Sequence, residues 1–198
     1  NSGKITFINK EINQYLKYEK KNFRKNIQMV FQDPYGSLNP RKTIGTTLSL
    51  AIKIHFKLSE DEIKNKVFEL LEKVELTPPE VFYERHPHEL SGGQQQRVAI
   101  ARAISTEPKL IISDEAVASL DMSIRSEILK LLKKINIETK VSMIMISHDL
   151  SVLKNMCNRI AIMHLGKIVE IGDKEKILGS PQHNYTKKLI SATLEIPN

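Results

Sequence analysis

The chain has 198 residues, 40% hydrophobic and 27% charged, which suits one well-buried domain. Eight Gly and eight Pro exclude a collagen-like or low-complexity chain. No apolar run reaches the roughly 18 residues of a membrane-spanning helix, and a single cysteine, Cys157, excludes an internal disulfide framework and favours a reducing compartment. The net charge of +7 admits nucleic acid, an acidic membrane face or a phosphorylated ligand as partner. Its densest run, Lys17 to Lys25, is broken by Glu19 and reads as a solvated face.

In chain order, residues 4–8 favour a strand by their β-branched and aromatic content, followed by a turn at Asn9-Lys10. A second apolar run, 27–31, ends at Gln32-Asp33-Pro34, and Pro34, Gly36 and Pro40 break the structure that follows. From there to about residue 105 the pattern is helical. Ser59 and Glu62 form a capping box ahead of a stripe of Ile63, Val67, Leu70, Leu71 and Val74, which Thr77-Pro78-Pro79 should terminate. Residues 110–112 predict a short strand, Ile124, Ile128, Leu131, Leu132 and Ile135 a helix, and 141–146 another strand. After a short helical piece come strands at 159–163 and 167–171, separated by Gly166. Short apolar strands alternating with amphipathic helices predict an α/β protein built on a buried, largely parallel sheet. The helical stretch interrupts it as an inserted subdomain would.

Ligands of open parallel sheets bind beyond the carboxyl ends of the strands. Three polar stations fall there: Gln32, the pair Asp114-Glu115, and His148. One carboxylate in such a place can hold Mg²⁺, a hard ion that keeps part of its water shell. A second can orient and deprotonate an attacking water. Ser91, Gly92 and Gly93 immediately precede a helix-forming run from Gln94 to Ile104, and glycines at a helix start let backbone N–H groups approach a phosphate. His86 and His88 beside Glu89 lack the His-Glu-x-x-His zinc spacing.

The order Gln32, Ser91–Gln94, Asp114-Glu115, Ser119-Leu120-Asp121, His148 resembles the nucleotide-binding subunit of ATP-binding cassette (ABC) transporters. The resemblance implies a P-loop NTPase core with an inserted helical subdomain. Gln32 would be the Q-loop residue, which senses Mg²⁺ and the attacking water. Ser91, Gly92, Gly93 and Gln94 would be the signature that meets a partner's ATP. Asp114 would be the Walker B ligand of Mg²⁺, Glu115 the catalytic base, Asp121 the D-loop acid and His148 the switch histidine. The implied layout is a core of 1–33 and 106–171, a helical subdomain of 34–105 and a tail of 172–198. Asp33-Pro-Tyr-Gly-Ser-Leu-Asn-Pro-Arg41 and His183-Asn-Tyr-Thr186 further resemble elements of oligopeptide, dipeptide and nickel importers, with Asn184 in place of a Pro.

That family implies a head-to-tail dimer with a second ATPase subunit, identical or not. It also implies membrane permease subunits, an indirect link to a substrate-binding protein, and a peripheral place on the cytoplasmic face of the membrane; nucleic acid is not expected. Two departures stand out. No Gly-x-x-x-x-Gly-Lys-[Ser/Thr] phosphate loop (Walker A) occurs, and Ser2-Gly-Lys-Ile5 matches the strand that follows the P-loop helix, so the P-loop is expected upstream of Asn1. Ala116 replaces a common Pro, and Ala118-Ser119 inverts the commoner Ser-Ala; both are expected to be tolerated. The alternative functions are a decayed cassette serving only as dimer partner and a non-transport cassette ATPase acting on nucleic acid.

Overall fold

The computed structural model describes residues 3–194, so Ser2 and the last four residues of the tail lie outside the described part. It divides into two compact units, one through Ile146 and one from Ser147 onward.

The first unit opens with a two-residue hairpin, β1 (Thr6–Phe7) against β2 (Lys10–Glu11). The turn is Ile8-Asn9, both at positive φ, so Lys10 belongs to a strand and the turn lies one residue before the predicted place. Paired positive φ is what a two-residue hairpin needs to match strand twist. Helices α1 (Ile12–Tyr18) and α2 (Lys20–Asn26) follow and lead into β3 (Ile27–Val30). After β3 come α3 (Pro34–Ser37), α4 (Ile44–His55), α5 (Glu60–Lys73), α6 (Pro79–Glu84), a 3₁₀ turn at Pro87–Glu89 and α7 (Gly92–Ile104). Then β4 (Leu110–Asp114), α8 (Met122–Thr139) and β5 (Ser142–Ile146) complete the unit.

Strands β3, β4 and β5 form a parallel sheet in that spatial order, with Val30 opposite Ser113 and Asp114 opposite Ile146. The predicted parallel sheet is therefore present with three strands among the described residues. The hairpins are separate and antiparallel.

The stripe of α5 is core: Ile63, Val67, Leu70, Leu71 and Val74 are all buried, together with Ile44, Leu48 and Ile52 of α4. Its start is the predicted capping box, Ser59 Oγ accepting from the Glu62 amide while Glu62 Oε2 accepts from the Ser59 amide at 2.7 Å. Its end is not where the prolines are. The helix stops at Lys73, Glu75 takes a left-handed φ of 60°, and the Leu76 amide reaches back to the Leu71 carbonyl at 2.9 Å. This six-to-one closure satisfies the last carbonyls without proline, and Pro79 instead opens α6, where its missing N–H costs nothing.

The second unit contains α9 (Leu150–Met156), an antiparallel hairpin of β6 (Arg159–His164) and β7 (Lys167–Asp173), α10 (Lys174–Gly179) and α11 (Asn184–Leu194). The hairpin turns at Leu165-Gly166, again with two positive φ values. Glu170 on β7 accepts from the Gln182 and His183 amides at 2.8 and 3.1 Å. These bonds hold its carboxyl below the usual carboxylate range, that from Gln182 foremost. The Tyr185 ring stacks on His164 at 3.8 Å. The His183–Thr186 element thus joins α11 to the hairpin.

Candidate functional site

Most of the singled-out residues come together in the first unit, at the carboxyl end of the parallel sheet. β3 and β4 are neighbours, so Gln32, two residues past Val30, and Asp114, one past Ser113, lie at adjacent strand ends. Gln32 is exposed and Asp114 half-buried. No hydrogen-bond or ion-pair partner is seen for the Asp114 carboxylate among the described residues. A half-buried carboxylate at a strand end beside the one that carries Gln32 offers hard oxygen of the kind Mg²⁺ takes; no cluster of three or more His, Cys, Asp or Glu ligands occurs among the described residues.

Glu115 follows with a left-handed φ of 50°; its amide donates to the Ile146 carbonyl at 3.0 Å and its carbonyl accepts from the Ala118 amide at 3.0 Å. A non-glycine residue in this region is strained by about 1–3 kcal/mol and persists only where its surroundings over-determine it. Here the last bond to β5 and the tight turn to Ala118 do so.

The signature sits at the start of α7. Ser91 is the N-cap, accepting from the Gln94 amide at 3.3 Å, while Gln94 Oε1 accepts from the Ser91 amide at 3.0 Å. The two glycines lie inside the first turn rather than before the helix, so their amides are among those an α-helix leaves without internal partners. Their reasons differ. A Cβ on Gly93 would sit 2.7 Å from Ile124 Cγ2 of α8, whereas one on Gly92 would meet only Leu120 Cδ2, at 3.9 Å. Gly93 is a packing requirement, whereas Gly92 has no such neighbour and lies on an exposed surface.

Those contacts also put the signature beside the 119–121 segment. Asp121 is the N-cap of α8, yet its side chain makes no capping bond and stays exposed. Ser119 Oγ donates to the Gln32 carbonyl at 3.1 Å. Gln32, Ser91–Gln94, Asp114-Glu115 and Asp121 therefore belong to one assembly. His148 belongs to the second unit, exposed in the turn before α9, whose N-cap Asp149 accepts from the Ser151 amide at 2.8 Å.

Sequence reasoning missed three supports. Arg97 of α7 donates to the Val74 carbonyl, Glu75 and Glu127, tying α5 and α8 to the signature helix. Arg102 donates to the carbonyl and hydroxyl of Ser37. Ser119, treated as a neutral inversion, bonds Gln32. No spacing rule marks these, since their partners lie 22 to 87 residues away.

The sheet face that carries Asp114 is open. Register places Met29, Ile112 and Ile144 in one row of it, and Met29, Phe31, Ile144 and Ile146 are 38–49% exposed.

A parallel sheet with an inserted helical stretch that ends in a glycine-rich helix start is the layout of a nucleotide-binding cassette. Residues 1–118 match the family described as ABC transporter, and the chain belongs to it. It is 47% identical over 170 residues to the dipeptide transport ATP-binding protein DppF of Haemophilus influenzae, an alignment covering 86% of this chain and 51% of that protein. It is 43% identical to the glutathione import ATP-binding protein GsiA of Escherichia coli K12 over 96% of this chain and 30% of that one. The chain thus spans about half of the first of these curated relatives and under a third of the second. Among solved structures, CbiO1 from Clostridium perfringens superposes with a TM-score of 0.78 at 30% identity, covering all of this chain and 74% of the other. The cassette MJ0796 in a dimeric post-hydrolysis state bound to ADP and Pi superposes with a TM-score of 0.76 at 30% identity, covering 88% and 74%.

Proposed function

We propose that the protein to which these residues belong hydrolyses Mg-ATP to energise import of a peptide-class solute. The observation that carries this is the convergence of Gln32, Asp114-Glu115, Asp121 and Ser91–Gln94 at one end of one unit. Peptide is favoured over nickel because dipeptide and glutathione are the cargoes named for the relatives above.

In this reading Glu115 orients the attacking water and takes its proton, while Asp114 and Gln32 hold the metal. Mg²⁺, when bound, neutralises charge on the transferring phosphoryl group. The amides of Gly92 and Gly93 and the Ser91 hydroxyl face the nucleotide of a second ATPase subunit arranged head-to-tail, and Asp121 crosses to the same partner. His148 keeps its assignment as switch histidine from sequence order alone. Permease subunits supply the membrane spans, a substrate-binding protein delivers cargo to them, and the subunit sits peripherally on the cytoplasmic face. The open apolar face beside Asp114 supports a phosphate loop supplied by residues outside this chain, since none of the form Gly-x-x-x-x-Gly-Lys-[Ser/Thr] lies within it.

The test is Mg-ATP turnover by the whole subunit with its partner. Glu115→Gln should lower kcat at least about 100-fold, the scale of losing a positioned general base, with ATP binding retained. Turnover unchanged in that variant removes Glu115 from the role. No turnover in the unaltered protein would leave a non-catalytic partner cassette.

A further inference from the structure

The segment from Gln32 to Ser37 is held at both ends by side chains that the proposed chemistry leaves unassigned. At its start Ser119 donates its hydroxyl to the Gln32 carbonyl at 3.1 Å. At its end Arg102, on the last turn of α7, donates to the Ser37 carbonyl and, at 3.2 Å, to the Ser37 hydroxyl. Between them the Asp33 carboxylate accepts from the Gly36 amide at 3.0 Å, the Ser37 hydroxyl donates to the Pro34 carbonyl at 2.8 Å, and Pro34 is buried. Internally bonded and pinned twice, this one-turn segment forms a stiff strap.

Both pins are unusual. Arg102 is half-buried and has no ion-pair carboxylate among the described residues; burial draws its guanidinium below the ordinary arginine range. A partly desolvated cation satisfied only by serine oxygens is a poor way to gain stability. Ser119 is exposed, yet its hydroxyl ties its loop to a carbonyl 87 residues away in the chain. Arg125 Nη2 also donates to the Ala118 and Leu120 carbonyls of this loop, at 3.4 Å each.

We propose that Ser119 is a positioning residue that fixes the strap to the 119–121 loop, with Arg102 as its counterpart at the signature helix, so that movement of either motif is transmitted to the other within one chain. The consequence for turnover rests on the ATPase reading above; the strap itself does not.

Two measurements on the whole subunit with its partner separate these. In hydrogen exchange of the peptide spanning residues 31–38, Ser119→Ala should raise the rate about 5- to 10-fold, the scale of one lost hydrogen bond. Ser119→Thr, which keeps the hydroxyl, should leave it within twofold. Arg102→Lys keeps charge and stem but loses the forked donation, and should speed exchange at the Ser37 end. In steady-state hydrolysis, Ser119→Ala should lower kcat about 3- to 10-fold with KM within twofold, and Thr should restore it. Unchanged exchange in Ser119→Ala, or Thr as impaired as Ala, overturns the strap. An unaltered subunit that hydrolyses no ATP overturns the ATPase reading, while the exchange rates still decide the strap.

Discussion

Gly92 and Gly93 are identical in sequence and opposite in structural meaning. Gly93→Ala drives a methyl into Ile124 at 2.7 Å and should cost about 1–3 kcal/mol as overpacking. Gly92→Ala has room and should cost no more than about 1 kcal/mol, because alanine also favours the helix; under the proposed function it should nevertheless lower turnover by covering the helix-start amides. Urea unfolding of both variants beside their ATPase rates checks this; equal destabilisation would contradict it. Sequence could mark this pair as a helix start suited to phosphate. It could not separate the two residues, because Ile124 reaches Gly93 from a helix about 30 positions away. The same holds for Ser119: its type was visible and its partner, Gln32, was not.

At the scale of elements, helix boundaries follow local chemistry where that chemistry is complete. Ser59→Ala removes the acceptor of the Glu62 amide and should cost about 1 kcal/mol, read as a lower denaturation midpoint with an unchanged slope. The Ser59 amide, foremost, and its hydroxyl hold the Glu62 carboxyl below its ordinary value. A carboxyl lowered in the folded state stabilises above its unfolded pKa, and that contribution is lost as pH falls through the folded pKa. The stability difference between the native protein and Glu62→Gln should therefore shrink on acidification through the carboxylate range. A constant difference would sink this account. Where the capping residue is atypical, prediction failed: Glu75 ends α5 in a left-handed conformation more usual for glycine, so the prolines drew attention too far downstream. Lys140, after α8, is a second such cap, with φ of 54°. Lys140→Gly should hold stability level or raise it by up to about 1 kcal/mol, measured by thermal melting; a clear loss would show that the lysine side chain matters there.

At the scale of the molecule, the feature with most consequence is the open sheet face of Met29, Phe31, Ile144 and Ile146. Strand runs of this composition belong to sheets covered on both sides, and a contiguous exposed apolar patch marks a surface that associates. Residues 1–198 alone should bind a hydrophobic dye and self-associate. Ile144→Lys with Ile146→Lys should reduce both without loss of helical circular dichroism. Absence of dye binding by the unaltered chain would mean the face is closed in solution.

The order of polar stations, the α/β alternation, the helical insert, the capping box and the core stripes were settled by sequence alone, because each depends on residues within a turn or two of one another. Tertiary structure decided the rest. It joined the 119–121 loop to Gln32, set Gly93 against Ile124, tied Ser37 to Arg102, gave Glu115 its strained backbone and paired β6 with β7 rather than with the parallel sheet. Each of these depends on atoms brought together across tens of residues, where side-chain direction and strand register choose the partner and local propensity carries no information about it.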